Sequence, residues 1–274
     1  MNLLIEFLKI LSATMNTPDD YGWFHLLFIF LFIIFTFVIC FYFKDSNTKT
    51  FNNITLIVFC IMLTLEIYKQ IVLSYSITND TITWDYNWYN FPFQLCSSPL
   101  YILPLIVLIK NENIKEMLIF FISTFSLAGG LIVFIYPNDV FISIIGINIQ
   151  TMIHHGLQIS LGIYYMMYYR KKLNINLWAK SINVFIILVI ISLFLNITMY
   201  HILNSLQISD VFNMYFISPY FPCTLPILST LYDKLPYILF LFIYIVGFII
   251  ASFIIYYIFN YIFKTIKKQV FSDL

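Results

Sequence analysis

The feature that most restricts this chain is residues 23–43, WFHLLFIFLFIIFTFVICFYF, which contain no Asp, Glu, Lys or Arg. About 20 apolar residues in helical form match the hydrocarbon core of a bilayer, so such a run reads as a membrane-crossing segment. The pattern recurs near 54–73, 91–109, 117–136, 147–169, 182–203 and 236–263, which gives seven expected spans. Backbone groups in hydrocarbon must bond within their own segment or a closed barrel. No barrel-like alternation is present, so the expected fold is all-α: a polytopic membrane protein, a bundle of seven transmembrane helices. Only 10% of the 274 residues are charged, against about 25% in a soluble domain. The formal net charge of +1 gives no reason to expect a nucleic-acid partner.

Leu3, Leu4, Phe7, Leu8 and Leu11 fall on one helical face, and Glu6 and Lys9 interrupt the apolar stretch. That excludes a cleavable signal peptide and predicts a short interfacial helix over 1–14. The expected organisation is an interfacial segment 1–21, a seven-helix domain 22–264 and a cytoplasmic tail 265–274. Lys44, Lys49, Lys110, Lys115, Arg170, Lys171, Lys172, Lys180, Lys264, Lys267 and Lys268 fall in alternate loops and the tail. The intervening loops hold Asp80, Asp85, Asp139, Asp210 and Asp233, with Lys234 as their only base. Basic loops stay inside, so the expectation is a cell-membrane protein with its N-terminus outside and its C-terminus cytoplasmic. Trp84, Trp88 and Tyr89 suit an outer aromatic belt. The proline-interrupted aromatic segment 204–235 reads as an interfacial cap.

Placed on these spans, several polar or small residues reach one layer in the outer half of the bilayer. At about 1.5 Å per residue, Cys96 lies roughly 8 Å below the outer boundary and His154 and His155 roughly 10 Å. Gly129, Gly130 and Glu66 fall at similar depths, and His25 and His201 lie toward the outer ends of their spans. Buried ionisable groups face a bundle interior or a watery cavity, so one outward-opening pocket is the economical reading. Each residue also has a plainer role. Glu66 can pair with Lys69, three residues on. The glycines can serve close helix approach. His25 and His201 can be interfacial polar groups. Cys96 can be a small buried hydrophobe or a disulfide partner of Cys223, which falls on the same oxidising side. Cys40 and Cys60 read as apolar filler. Adjacent histidines point about 100° apart on a helix, so at least one of His154 and His155 faces the bundle. They do not converge on one ion, and no metal or cofactor is expected.

The stretches FPFQLCSSPLYILPL (91–105), AGGLIVFIYPND (128–139), MIHHG (152–156), Asn196 and NMYFISPYFPCTLPILSTLYDKLPYIL (213–239), in that order, resemble the YwaF-like family of integral membrane proteins. That family includes eukaryotic transmembrane protein 164, and the resemblance runs over roughly 22–262. It implies a lipid acyltransferase with a membrane-embedded cysteine and histidine. Cys96 takes the cysteine position. The histidine position falls on His154 or His155, with His155 favoured by the glycine that follows it. Gly129, Gly130, Glu66, Asn196, Asn213, His25 and His201 are the candidate substrate-binding residues.

The resulting expectation is cysteine-dependent acyl transfer, with membrane lipids as partners and phospholipids as acyl donor and acceptor. An imidazole would activate the thiol, Glu66 would orient that imidazole, and N–H groups at Gly129–Gly130 would serve an oxyanion if the helix loosens there. The alternative is a transporter or a small-ligand or lipid-binding membrane protein without covalent chemistry.

Overall fold

Three asparagines start three helices in the same way, each by turning its side-chain carbonyl onto free backbone N–H groups. Asn47 caps α3 (Thr48–Val72), Asn111 caps α5 (Glu112–Phe121) and Asn174 caps α8 (Ile175–Ser205). The computed structural model describes residues 3–137 and 140–272, with side chains as far as Thr265. Asp139 and the side chains of Lys267 and Lys268, read above as loop and tail charges, lie outside the described residues.

The remaining elements are α1 (Leu3–Leu11), α2 (Trp23–Phe43), β1 (Tyr75–Thr78), β2 (Thr81–Trp84), α4 (Pro99–Leu108), α6 (Leu127–Ile135), α7 (Ile145–Tyr168), α9 (Leu228–Tyr232) and α10 (Tyr237–Ser272). Among the described residues, five helices are long and apolar enough to cross a membrane: α2, α3, the α5–α6 unit, α8 and α10. The first of these leaves Phe30, Ile33, Phe37 and Phe41 exposed. An apolar surface with no protein against it belongs in lipid.

Two of the expected spans take a different form. The stretch near 91–109 is helical only from Pro99, because Pro92 and Pro99 break the ladder and a 3-10 turn occupies Leu95–Ser97. The fifth, α7, has 24 residues, long enough at about 1.5 Å each for a bilayer core. It is too polar to stand in lipid, and the fold encloses it. Asn148, Gln150, Thr151, His154, His155, Gln158 and Ser160 are all buried. Its polar groups are shared among its neighbours. Ser160 meets Thr36 of α2 at 2.7 Å, and Tyr165 meets Thr55 of α3 at 2.7 Å. Gly156 lets the Phe32 ring of α2 lie where a Cβ would be, the usual way small residues bring membrane helices together.

At one end of the bundle a hairpin pairs Tyr75 with Trp84 through Thr78 with Thr81. Its Asn79–Asp80 turn has φ of 50° and 57°, as a two-residue hairpin turn of this hand requires. Helix α1 packs Ile5 and Leu8 inward and leaves Leu3, Leu4, Phe7 and Ile10 exposed. It is held at the hairpin end by Lys9–Asp80 (2.9 Å) and by Tyr75 donating to the Leu8 carbonyl (2.6 Å). The lysine-rich turns lie at the opposite end.

The segment 204–235 is more than a cap. Phe212, Met214, Tyr215, Ile217 and Cys223 are buried, so the chain dips into the bundle and returns. Asn196 holds the dip from α8, donating to the Met214 carbonyl (2.9 Å) and accepting from its N–H (2.7 Å). Asn213 accepts from the Ser218 N–H and donates to the Pro222 carbonyl, both at 2.9 Å.

Candidate functional site

Because the prolines stop a helix from forming before Pro99, residues 94–98 are irregular, and their side chains and carbonyls are free to reach sideways. Gln94 reaches the dip, accepting from the Tyr215 N–H at 2.7 Å and donating to the Asn213 carbonyl at 2.9 Å. On the other side, His154 Nε2 lies 2.9 Å from the Cys96 carbonyl. The Cys96 turn is thus fixed between α7 and the dip. Cys96 is a free cysteine, and the residue is partly exposed. The N-terminal end of α4 follows directly, so the positive end of that helix dipole faces the turn.

The hydrogen bonds assign both histidine tautomers. A carbonyl only accepts, so His154 carries its proton on Nε2 and leaves Nδ1 bare. His155 lies 2.8 Å through Nδ1 from the Thr151 carbonyl, so its Nε2 is bare. Both bare nitrogens are buried without a partner, as is Gln158 Oε1. Buried polar atoms are normally satisfied, so these orphans on α7 are candidates for engaging a bound group. Tyr215 is 1% exposed, faces Ser98 and lies within electrostatic reach of Cys96. It has φ 59°, and Phe216 beside it has φ 56°. Bulky residues rarely adopt that region, and such strain clusters at functional sites.

Gln158 donates to the Ser126 carbonyl and hydroxyl, both at 2.8 Å. Ser126 ends a π-helical turn, Ile122–Ser126, between α5 and α6. Such turns are frequent at functional sites. The expected loosening near the glycines is therefore found one turn earlier, and Gly129–Gly130 lie within regular α6. A Cβ on Gly130 would sit 3.0 Å from Ile159 and 3.2 Å from the His155 carbonyl, so this glycine serves close approach of α6 to α7. Gly129 sits beside Leu95 and Gln158.

Several other expectations are corrected. Glu66 does not orient a histidine. It pairs with Lys69 at 2.9 Å and accepts from Gln70 at 2.6 Å, being bound by its own helical spacing. The pair still acts electrostatically on Cys96. Cys96 and Cys223 are not bonded to each other. The single pocket of five helices is divided. His25 is buried at the start of α2, accepts from the Tyr21 N–H and packs against Phe134 and Phe141. His201 is exposed, beside the stacked Tyr200–Tyr220 pair. Asn196 and Asn213 brace the dip. His154 reaches the backbone carbonyl of Cys96, whereas the favoured His155 bonds only to the Thr151 carbonyl of its own helix. Gln158, Tyr215, Gln94 and the π turn were not foreseen. Among the described residues, no three His, Cys, Asp or Glu side chains gather as a metal-binding group.

A model of the TMEM164 family matches residues 20–259. No curated protein and no solved structure matches the chain.

Proposed function

Since the chain belongs to the TMEM164 family and is a multi-pass membrane protein, we propose that it transfers an acyl group between lipids through Cys96, with His154 as the base. The observation that carries this reading is the bare, buried, unpartnered Nδ1 of a histidine whose other nitrogen grips the Cys96 carbonyl.

In the first half-reaction the Cys96 side chain turns to His154 Nδ1, which takes the thiol proton, and Sγ attacks an ester carbonyl of a donor phospholipid. The S–C bond forms, the C–O bond breaks, and the proton passes to the departing glycerol oxygen. In the second, an acceptor hydroxyl gives its proton to Nδ1 and attacks the thioester. The S–C bond breaks, and the thiolate regains the proton from the imidazolium. The Tyr215 hydroxyl, which faces Ser98, is a candidate donor to the developing oxyanion. The N-terminus of α4 supplies positive potential near the Cys96 turn, which favours a thiolate.

Topology completes the proposal. The five apolar helices, the enclosed α7 and the shorter α4 make seven crossings of the cell membrane. The lysine-rich end is cytoplasmic and the hairpin end, with α1 and Cys96, faces outward.

A test is intact-protein mass spectrometry after incubation with a labelled phosphatidylcholine. The expected result is a hydroxylamine-sensitive acyl adduct on Cys96, with transfer abolished in Cys96→Ala. Undiminished transfer by Cys96→Ala eliminates the mechanism. A second reading, lipid binding without chemistry, is favoured by one observation. An apolar groove of about 710 Å³ opens between α2, α6 and α7, lined by Phe32, Phe37, Leu131, Phe134, Ile159 and Ile163. Lipid retention by Cys96→Ala with no adduct on the wild type would select it.

A further inference from the structure

At the end of the bundle away from Cys96, the end of α2, the starts of α3 and α5 and the end of α7 enclose a polar pocket of about 490 Å³. It lies fourteen positions along α7 from His154, about 20 Å. Lys44, Lys115, Lys171 and Lys172 line it, against the carboxylates of Asp45 and Glu112.

Asp45 is already engaged. Arg170 pairs with it, also donating to the Lys44 carbonyl at 3.0 Å, and Lys171 lies 4.0 Å away. Glu116, behind the pocket, is held by Lys172 at 3.4 Å. Lys115 is different. It is 6% exposed and lines the pocket, and no carboxylate among the described residues comes within ion-pair distance. Glu112, three residues earlier on the same helix, stays on the exposed rim. The Lys44 ammonium lies 5.7 Å from the Phe41 ring, and among the described residues no carboxylate comes within ion-pair distance of it. A lysine whose side chain is as enclosed as that of Lys115 is ordinarily paired. Thr48 and Glu112, the first residues of α3 and α5, bring two helix N-termini to the same wall, with Asn47 and Asn111 already capping N–H groups of their first turns. These are the parts of an anion site: positive dipole ends and lysines. Hydroxyls of Ser46, Thr48 and Tyr168 stand beside them.

We infer that this pocket binds a phosphate group, with Lys115 as its buried anchor and Lys44, Lys171 and Lys172 around it. Basic pockets between membrane helices are suited to anionic headgroups, and free phosphate shares the chemistry. The inference is independent of the Cys96 reading.

The test uses the full-length protein in a neutral maltoside detergent, with native mass spectrometry and thermal-shift titration. Dioleoyl phosphatidic acid, inorganic phosphate and dioleoyl phosphatidylcholine are the three probes. Saturable binding of phosphatidic acid over phosphatidylcholine, weakened about tenfold or more in Lys115→Gln and unchanged in Lys110→Gln, is expected, since a charge-assisted bond is lost. Phosphatidic acid binding alone assigns a lipid headgroup, and saturation by inorganic phosphate in the same Lys115-dependent way assigns a free anion. If Lys115→Gln does not fold, Lys44→Gln carries the same comparison. Binding of neither anion, or equal loss in Lys110→Gln, overturns the inference.

Discussion

Replacing His154 by glutamine separates its two jobs. The ring donates from Nε2 to the Cys96 carbonyl at 2.9 Å and presents a bare Nδ1. A glutamine amide can still donate to that carbonyl, so stability should change by no more than about 1 kcal/mol, the net worth of one hydrogen bond. It cannot accept a thiol proton. General-base catalysis contributes roughly 10²–10⁴-fold, or about 3–5 kcal/mol of barrier at 1.36 kcal/mol per decade. The expected outcome is a normally folded His154→Gln protein whose acyl transfer between labelled and unlabelled phospholipids falls by that factor. His154→Ala, which strands the carbonyl, should lose about 1–3 kcal/mol of stability as well. In His155→Gln transfer should fall by less than about tenfold, because that ring bonds only within its own helix. The assay is lipid-exchange kinetics in mixed micelles, with melting curves of each variant. A His154→Gln rate equal to wild type, or a collapse confined to His155→Gln, refutes the assignment.

Cysteine oxidation state gives a second check: non-reducing mass spectrometry should show no Cys96–Cys223 bridge. Packing gives a third. A Cβ on Gly162 would lie 2.9 Å from Leu127 Cβ and 3.1 Å from the Ile122 carbonyl, whereas one on Gly129 meets only ordinary contacts at 3.6 Å or more. Gly162→Ala should therefore cost about 1–3 kcal/mol in thermal unfolding and Gly129→Ala very little. A fourth concerns pH. The Arg170 hydrogen bond holds the Asp45 carboxyl below its ordinary value of 3.8. A depressed folded-state value means the pair's contribution is present above that ordinary value and is lost as pH falls through the folded one. Thermal stability of Asp45→Asn should thus differ from wild type at neutral pH and converge with it in strong acid.

The family resemblance and the membrane class were legible because partitioning into lipid is a sum over local residues. A run such as 23–43 needs no knowledge of its neighbours to be placed in hydrocarbon. The asparagine caps and the Asn79–Asp80 turn are equally local, although the turn was overlooked for want of apolar alternation beside it. By contrast, α7 carries an average composition that does not mark a lipid-facing helix, and its polar residues make sense only once α2, α3 and α6 surround it. The dip at 212–217 was hidden for the same reason. Asn196 and Gln94, distant in sequence, satisfy its backbone and so allow irregular chain among the helices.

The sequence by itself determined where the chain meets lipid, where its helices begin, and that a cysteine and two histidines lie on the segments of a polytopic bundle. Tertiary structure decided which imidazole turns to the Cys96 segment, that Tyr215 comes down beside it, and that Glu66 is occupied by Lys69. Hydrophobicity fixes the depth of a residue, but a helix turns about 100° with each residue. Only the packing of neighbouring helices therefore selects His154 over His155.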